Sequence, residues 1–160
     1  KQDLAVKDPL TGVYNRAGYE ERVVEEFARR LRVDTPLSIV FVDCNKFKQI
    51  NDTFGHNAGD IVLVKVAETL KNRARASDIV ARYGGDEFAI LITNLVDESI
   101  LKVIRQKIEH SISQPFEVSG NKIKVGISIG ISIYPDEAKE KSSLLDVADK
   151  RMYCCKNAKN

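Results

Sequence analysis

Residues 123–133, IKVGISIGISI, carry Ile or Val at every odd position and Lys, Gly or Ser at every even one. A period of two sends alternate side chains to opposite sides of an extended strand, so this segment commits the chain to a sheet with an apolar face. LSIVFV (37–42), led in by Pro36, is a short apolar run interrupted only by Ser38 and suits a strand covered on both faces. DIVARY (78–83) and DEFAILI (86–92) are strand-like, with Gly84-Gly85 between them as a two-residue hairpin loop. FEVSGNKIKV (116–125) reads as a small hairpin around Ser119-Gly120-Asn121. The intervening segments have the helical period instead. Val23, Val24, Phe27, Ala28 and Leu31 predict a helix over 16–33, with Tyr14 and Tyr19 stapling it. Leu63, Val66, Ala67 and Leu70 predict one over 58–73, capped by Asn57 and Asp60 and ended by Lys71 and Arg73. Ile100, Leu101, Ile104 and Ile108 predict a third over 97–113. Leu145, Ala148 and Met152 predict a last helix over 143–157, opened by Ser143 and Asp146 as a capping box.

Residues 37–133 therefore read β-α-β-β-α-β, the ferredoxin-like order of an α+β fold. An N-terminal helix, the small hairpin and a C-terminal helix are added to this core. The expected architecture is an antiparallel-containing sheet with helices on one face.

The 160 residues suit one domain. Lys1 opens the chain where an initiator Met would stand, so it reads as a piece of a longer protein, with residues 1–8 as the end of a linker. With 25 basic and 23 acidic residues interspersed, the net charge of +2 gives no reason to expect nucleic acid or a membrane surface as partner. No apolar run is long enough to span a membrane, and the N-terminus has no signal-peptide core. Cys44, Cys154 and Cys155 form no CxxC pair, which argues against structural zinc and a disulfide framework and for a reducing compartment. Cys154 and Cys155 fit on the last helix, one facing in and one out.

Chemistry concentrates where RYGGDEF (82–88) meets the first core strand. In the ferredoxin-like order the strand ending at Asp43 and the strand beginning at Asp86 are antiparallel neighbours. Asp43, Asp86 and Glu87 then share one sheet edge. Three adjacent carboxylates repel one another unless a cation compensates them, and all-oxygen donors favour Mg²⁺ or Mn²⁺. The bland alternative is a solvated turn with polar tips. Gly84 and Gly85 would supply positive φ for the turn and leave the backbone open to a planar or phosphate group. Downstream, Lys48 would balance phosphate charge, and Asn51 and Asp60 carry groups suited to a purine edge, with His56 between them. Each also has a plain structural reading: a solvated lysine, a turn, a first-turn helix acid.

RYGGDEF resembles the signature of the GGDEF-type diguanylate cyclases. DPLTGVYNR (8–16), DCNKFKQINDTFGHNAGD (43–60), VGISIGIS (125–132) and ADKRMYCCK (148–156) resemble further segments of the same family, so the likeness covers nearly the whole chain. It implies a single GGDEF domain over 1–160 with a nucleotidyl-cyclase or palm-like core. It implies the condensation of two GTP into cyclic di-GMP with release of pyrophosphate, in the cytoplasm and by a homodimer. By the resemblance, Asp43, the Cys44 carbonyl and Asp86 would hold the metals, with Glu87 beside them. Asp86 would act as base for the ribose 3′-hydroxyl, and Lys48 would stabilise phosphate charge. Asn51 and Asp60 would read guanine, with Phe47 and His56 lining the site, and Lys156 would reach the γ-phosphate. Arg75 and Asp78, in RASD, match the family's RxxD inhibitory site for cyclic di-GMP. The plain reading of that pair is a helix-end Arg and a turn Asp.

Two positions depart from the family pattern. Asn45 stands where a second Asp is frequent, and Lys159-Asn160 replaces a C-terminal Gly-Arg, which implies weaker triphosphate binding rather than a dead site. Two other functions compete with catalysis. One is a GGDEF domain that has lost turnover and binds GTP or cyclic di-GMP. The other is a ferredoxin-like regulatory domain for a small metabolite, which would not need Asp43, Asp86 and Glu87 together.

Overall fold

The strand Leu37–Asn45 (β1) is buried from Leu37 to Cys44, so it can only sit inside a sheet covered on both sides. A computed structural model, which describes residues 6–30, 36–94, 97–134 and 141–159 (side chains of 141–144 and 157–159 excepted), places it there. β1 pairs antiparallel with Glu87–Thr93 (β3) on one side and Gly126–Tyr134 (β6) on the other. Ile79–Arg82 (β2) extends the sheet beyond β3, giving the order β2-β3-β1-β6. This is the strand order that the βαββαβ pattern predicts. Phe116–Val118 (β4) and Asn121–Ile123 (β5) form the separate hairpin. Its turn residues Ser119 and Gly120 both have positive φ, as a tight hairpin turn requires.

Helices cover both faces, not the one expected. His56–Arg73 (α3) and Glu98–Ser113 (α4) lie on the first face, where Val62, Val66, Leu70 and Ile108 join Val40, Val42, Ile90 and Ile129 in one core. Arg16–Arg30 (α1) and Lys141–Lys159 (α5) lie on the second, where Tyr19, Val23, Ala148 and Met152 meet Ile39, Phe41, Ala89 and Leu91. The alternation of β6 explains how α5 fits. Its isoleucines point to the α3/α4 core, so Ser128, Gly130 and Ser132 fall on the α5 side. A Cβ at Gly130 would overlap the backbone of Ala148 and Met152. The small residues are a seat for a helix rather than a solvent face.

Three local expectations are corrected. The segment after β1 forms a helix of its own, Phe47–Phe54 (α2), and Gly55 at φ 92° separates it from α3. Gly55 is also the N-cap of α3, which has no side-chain cap, so Asn57 and Asp60 are not a capping pair. The connection between β2 and β3 is four residues, 83–86, and neither Gly84 nor Gly85 has positive φ; Gly12, Gly55 and Gly120 do. α4 is capped by Asp97, whose Oδ1 accepts from the Ser99 amide at 2.9 Å. The Ser143 half of the expected α5 capping box lies outside the described side chains, and Asp146 pairs with Lys150 at 3.0 Å. Among the described residues no helix is long and apolar enough to cross a membrane. All three cysteines are free: Cys44 is buried, Cys155 half-buried and Cys154 exposed.

Candidate active site

The β1–β3 register sets Asp43 opposite Glu87, and the Cys44 amide donates to the Asp86 carbonyl at 3.0 Å. The three acidic residues therefore meet at one end of the sheet, as the sequence predicts. Asp43 and Glu87 are on the α5 side of their strands by alternation, while Asp86 sits on the connection. Asp43 is only 3% exposed. Lys156 reaches it from α5, with Nζ 2.6 Å from Oδ2. Burial raises the Asp86 carboxyl above its ordinary range, and the charge of Asp43 adds to this. Glu87 is raised for the same two reasons, with further contributions from Asp86 and Asp149. The hydrogen bond to Asp43 raises the Lys156 ammonium against the opposing effect of burial. Burial also pushes the Cys44 thiol far up, with Asp86 and Asp43 adding to the effect. Its side chain packs in the α3/α4 core, which leaves the main-chain carbonyl as the atom Cys44 can offer an ion.

Arg82 fixes the shape of the loop that carries Asp86. Its Nε and Nη2 donate to the Gly85 carbonyl at 3.1 and 2.8 Å, and Nη1 lies 3.3 Å from Asp8 Oδ1. Burial would raise the Asp8 carboxyl, but hydrogen bonds from Thr11 and the Arg82 charge bring it below its ordinary value. Tyr83 is held under the Arg16 guanidinium, 4.5 Å from the ring centroid, and edge-on to Phe41. The glycines serve space rather than backbone freedom. A Cβ on Gly84 would fall 2.6 Å from Glu87 Oε1, while one on Gly85 would meet nothing within 4 Å. Gly85 thus leaves open backbone beside the carboxylates.

The break at Gly55 folds α2 back on α3. A Cβ on Gly59 would collide with Asn51 Oδ1 and approach Phe47 Cζ to 3.2 Å. Asn51 and Phe47 are so brought against the residue that precedes Asp60. Asp60, His56 and Lys48 are exposed. Asn45 is engaged within the sheet, its Oδ1 accepting from Ser128 Oγ at 2.9 Å.

Arg75 and Asp78 stand apart from this cluster. They lie at the far end of β2 and β3, about 20 Å along the seven-residue strand β3 from Glu87. Arg75 closes on its own partner: the amide donates to Asp78 Oδ2 at 2.8 Å and Nη2 to Oδ1 at 3.1 Å. Nη2 also donates to the Thr93 carbonyl, and Asp78 Oδ1 accepts from the Thr93 amide at 3.3 Å. The plain structural role is therefore real, yet the Arg75 side chain is 47% exposed.

Sequence reasoning missed Arg82, Asp8 and the Lys156–Asp43 pair. Arg82 and Asp8 lie inside the segments that carry the family resemblance, so position was the available signal. The Lys156–Asp43 pair depends on how α5 sits on β6, which no local pattern encodes.

Among the described residues, no three Asp, Glu, His or Cys side chains are grouped as the ligands of an ion; Lys156 holds Asp43 instead. The donor chemistry nonetheless suits a hard divalent cation. Asp43, Asp86 and Glu87 offer only carboxylate oxygen, and burial together with the Asp43 charge raises the carboxyls of Asp86 and Glu87 despite Lys156.

Comparisons with known proteins identify the family of the chain and its fold. The profile described as diguanylate cyclase, GGDEF domain matches residues 5–160. The bifunctional diguanylate cyclase/cyclic di-GMP phosphodiesterase MucR of Pseudomonas aeruginosa is 35% identical over 96% of this chain and 22% of its own length. Diguanylate cyclase TpbB of the same organism is 39% identical over 93% of this chain and 34% of its own length. A solved structure of its GGDEF domain superposes with a TM-score of 0.90 at 38% identity, covering 95% of this chain and 89% of that one. The GGDEF domain of DgcB from Caulobacter crescentus, solved in complex with c-di-GMP, gives a TM-score of 0.90 at 25% identity over 96% and 91% of the two chains. The chain thus spans roughly a fifth to a third of the curated relatives, which are longer proteins. It belongs to the diguanylate cyclase GGDEF domain family.

Proposed function

We propose that this domain is a diguanylate cyclase, joining two GTP molecules into cyclic di-GMP with release of pyrophosphate. The observation that carries the reading is the convergence of Asp43, Asp86 and Glu87 at one sheet end, beside the open backbone of Gly85. Asp43, Asp86 and the Cys44 carbonyl, with Glu87 beside them, would hold Mg²⁺ or Mn²⁺, which supplies neutralisation of phosphate charge. Asn51 and Asp60 bind guanine, since the Asp60 carboxylate accepts from two donors that adenine lacks. Phe47 and His56 line that base site. Asp86 takes the proton of the ribose 3′-hydroxyl. Lys48 and Lys156 bear on the phosphates. Each new bond joins a 3′-oxygen to the α-phosphorus of the other GTP, and each α–β bond breaks to release pyrophosphate. One domain holds one GTP, so the two-fold product requires a homodimer. Arg75 and Asp78 form a product site distinct from this one, with Arg75 turning outward from Asp78 to bond the ligand. The domain works in the cytoplasm.

Incubation with GTP and Mg²⁺, followed by chromatography, should yield cyclic di-GMP and pyrophosphate, and Asp86→Ala should yield neither. GTP binding without product in the unmodified protein would replace the cyclase reading with that of a nucleotide-binding module. Asn45, committed to Ser128 rather than free as a carboxylate, is the feature favouring that second reading. Titration of cyclic di-GMP onto wild type and Arg75→Ala decides the product site; equal affinities would leave the pair a turn.

A further inference from the structure

We propose that Lys156 is a tethered counter-cation. When no divalent ion is bound it holds Asp43, and an ion entering the carboxylate cluster displaces it and frees its ammonium for phosphate. The proposal rests on the metal site proposed above and adds how occupancy of that site is coupled to the nucleotide. Asp43's side chain is 4% exposed, and a carboxylate so buried needs a compensating charge. Lys156 supplies it at 2.6 Å. A cation bound to the same carboxylate must take that place.

The geometry lets the side chain leave while the helix stays. Ala148, Met152 and Lys156 follow one another at four-residue steps, so they share a face of α5. Ala148 and Met152 are seated over Gly130 with no room even for a methyl group. The backbone of α5 is thereby fixed on β6. Lys156 itself keeps 36% of its side chain exposed and swings on a flexible four-carbon stem. Ion and ammonium compete for Asp43, but ion and phosphate do not compete for Lys156. Metal binding therefore hands a positive charge to the triphosphate, and by reciprocity the triphosphate, by drawing Lys156 away, tightens the metal.

The test is a Mn²⁺ titration followed by electron paramagnetic resonance on wild type, Lys156→Met and Lys156→Arg, with and without a non-hydrolysable GTP analogue. Thermal unfolding of each in EDTA runs alongside. Without nucleotide, Lys156→Met should bind Mn²⁺ roughly ten- to a hundredfold more tightly, the factor by which one charge-assisted hydrogen bond opposes a competitor. Lys156→Arg should stay near wild type. The analogue should strengthen Mn²⁺ binding less in Lys156→Met than in wild type, whereas a bystander charge would leave that enhancement unchanged. Lys156→Met should melt lower in EDTA and recover in saturating Mn²⁺. Equal or weaker Mn²⁺ binding by Lys156→Met, or an unchanged enhancement, overturns the proposal. Should every folded protein fail to bind Mn²⁺, the metal site itself falls and the proposal with it. If Lys156→Met does not fold, Lys156→Gln carries the same comparison.

Discussion

At Asp86 and Glu87 the site keeps two carboxyl groups whose protonation is favoured by burial and by Asp43. Between the ordinary carboxylate range and the raised one, the folded domain binds more protons than the unfolded chain. Stability contributed by these groups therefore falls as pH rises through that window. In EDTA, Asp86→Asn should melt above wild type at neutral pH, and the gap should close as pH falls below about 4, where the wild-type carboxyl becomes protonated in both states. Calorimetric melts across that range check it, and a lower melting temperature for the variant at neutral pH would show that repulsion does not prevail there. Asp60 supports a different measurement. Asp60→Ala should weaken GTP by about 1.5–3 kcal/mol, the worth of a charged hydrogen bond, and leave ATP almost unchanged. Equal losses for both nucleotides would return Asp60 to the surface of α3. The acidic trio was legible in the sequence because the strand pattern fixes where β1 ends and β3 begins. The partner of Asp43 was not, because Lys156 is 113 residues away and arrives through a packing register.

That register is set by β6. The strict alternation of 123–133 was readable as a strand, but its Gly and Ser positions look the same on paper whether they meet water or a helix. The largely apolar run that opens β1 already implied cover on both sides, and the two flanking helices supply the second layer. α2 escaped detection because FKQINDTF is short and carries Asn, Asp and Thr, which favour turns over helix interiors. Its apolar Phe47, Ile50 and Phe54 nevertheless fall on one helical face. Gly130→Ala tests the seat directly. The added methyl meets backbone atoms of α5, which cannot rotate aside, so overpacking should cost about 1–3 kcal/mol. Denaturant unfolding gives the loss. A Gly130→Ala variant as stable as wild type would mean that α5 is free to slide.

Across the whole domain, the proposed chemistry needs a second copy, and mass action exposes that need. Specific activity should rise with protein concentration and level off once dimers dominate. A specific activity constant down to nanomolar protein would favour turnover within a single domain, contrary to the two-fold symmetry of the product. Arg82 also acts at this scale. Its guanidinium ties Asp8, ahead of α1, to the carbonyl of Gly85, which lies 77 positions later in the chain. The Tyr14 backbone adds to this tie, donating to the Val80 carbonyl at 3.2 Å and accepting from the Arg82 amide at 2.8 Å, so the N-terminal segment and the loop after β2 are coupled. In amide hydrogen exchange they should behave as one cooperative unit. Asp8→Asn should speed exchange at residues 83–86 while the centre of β1 keeps its protection, and unchanged exchange there would show that the loop holds its shape without the N-terminal segment.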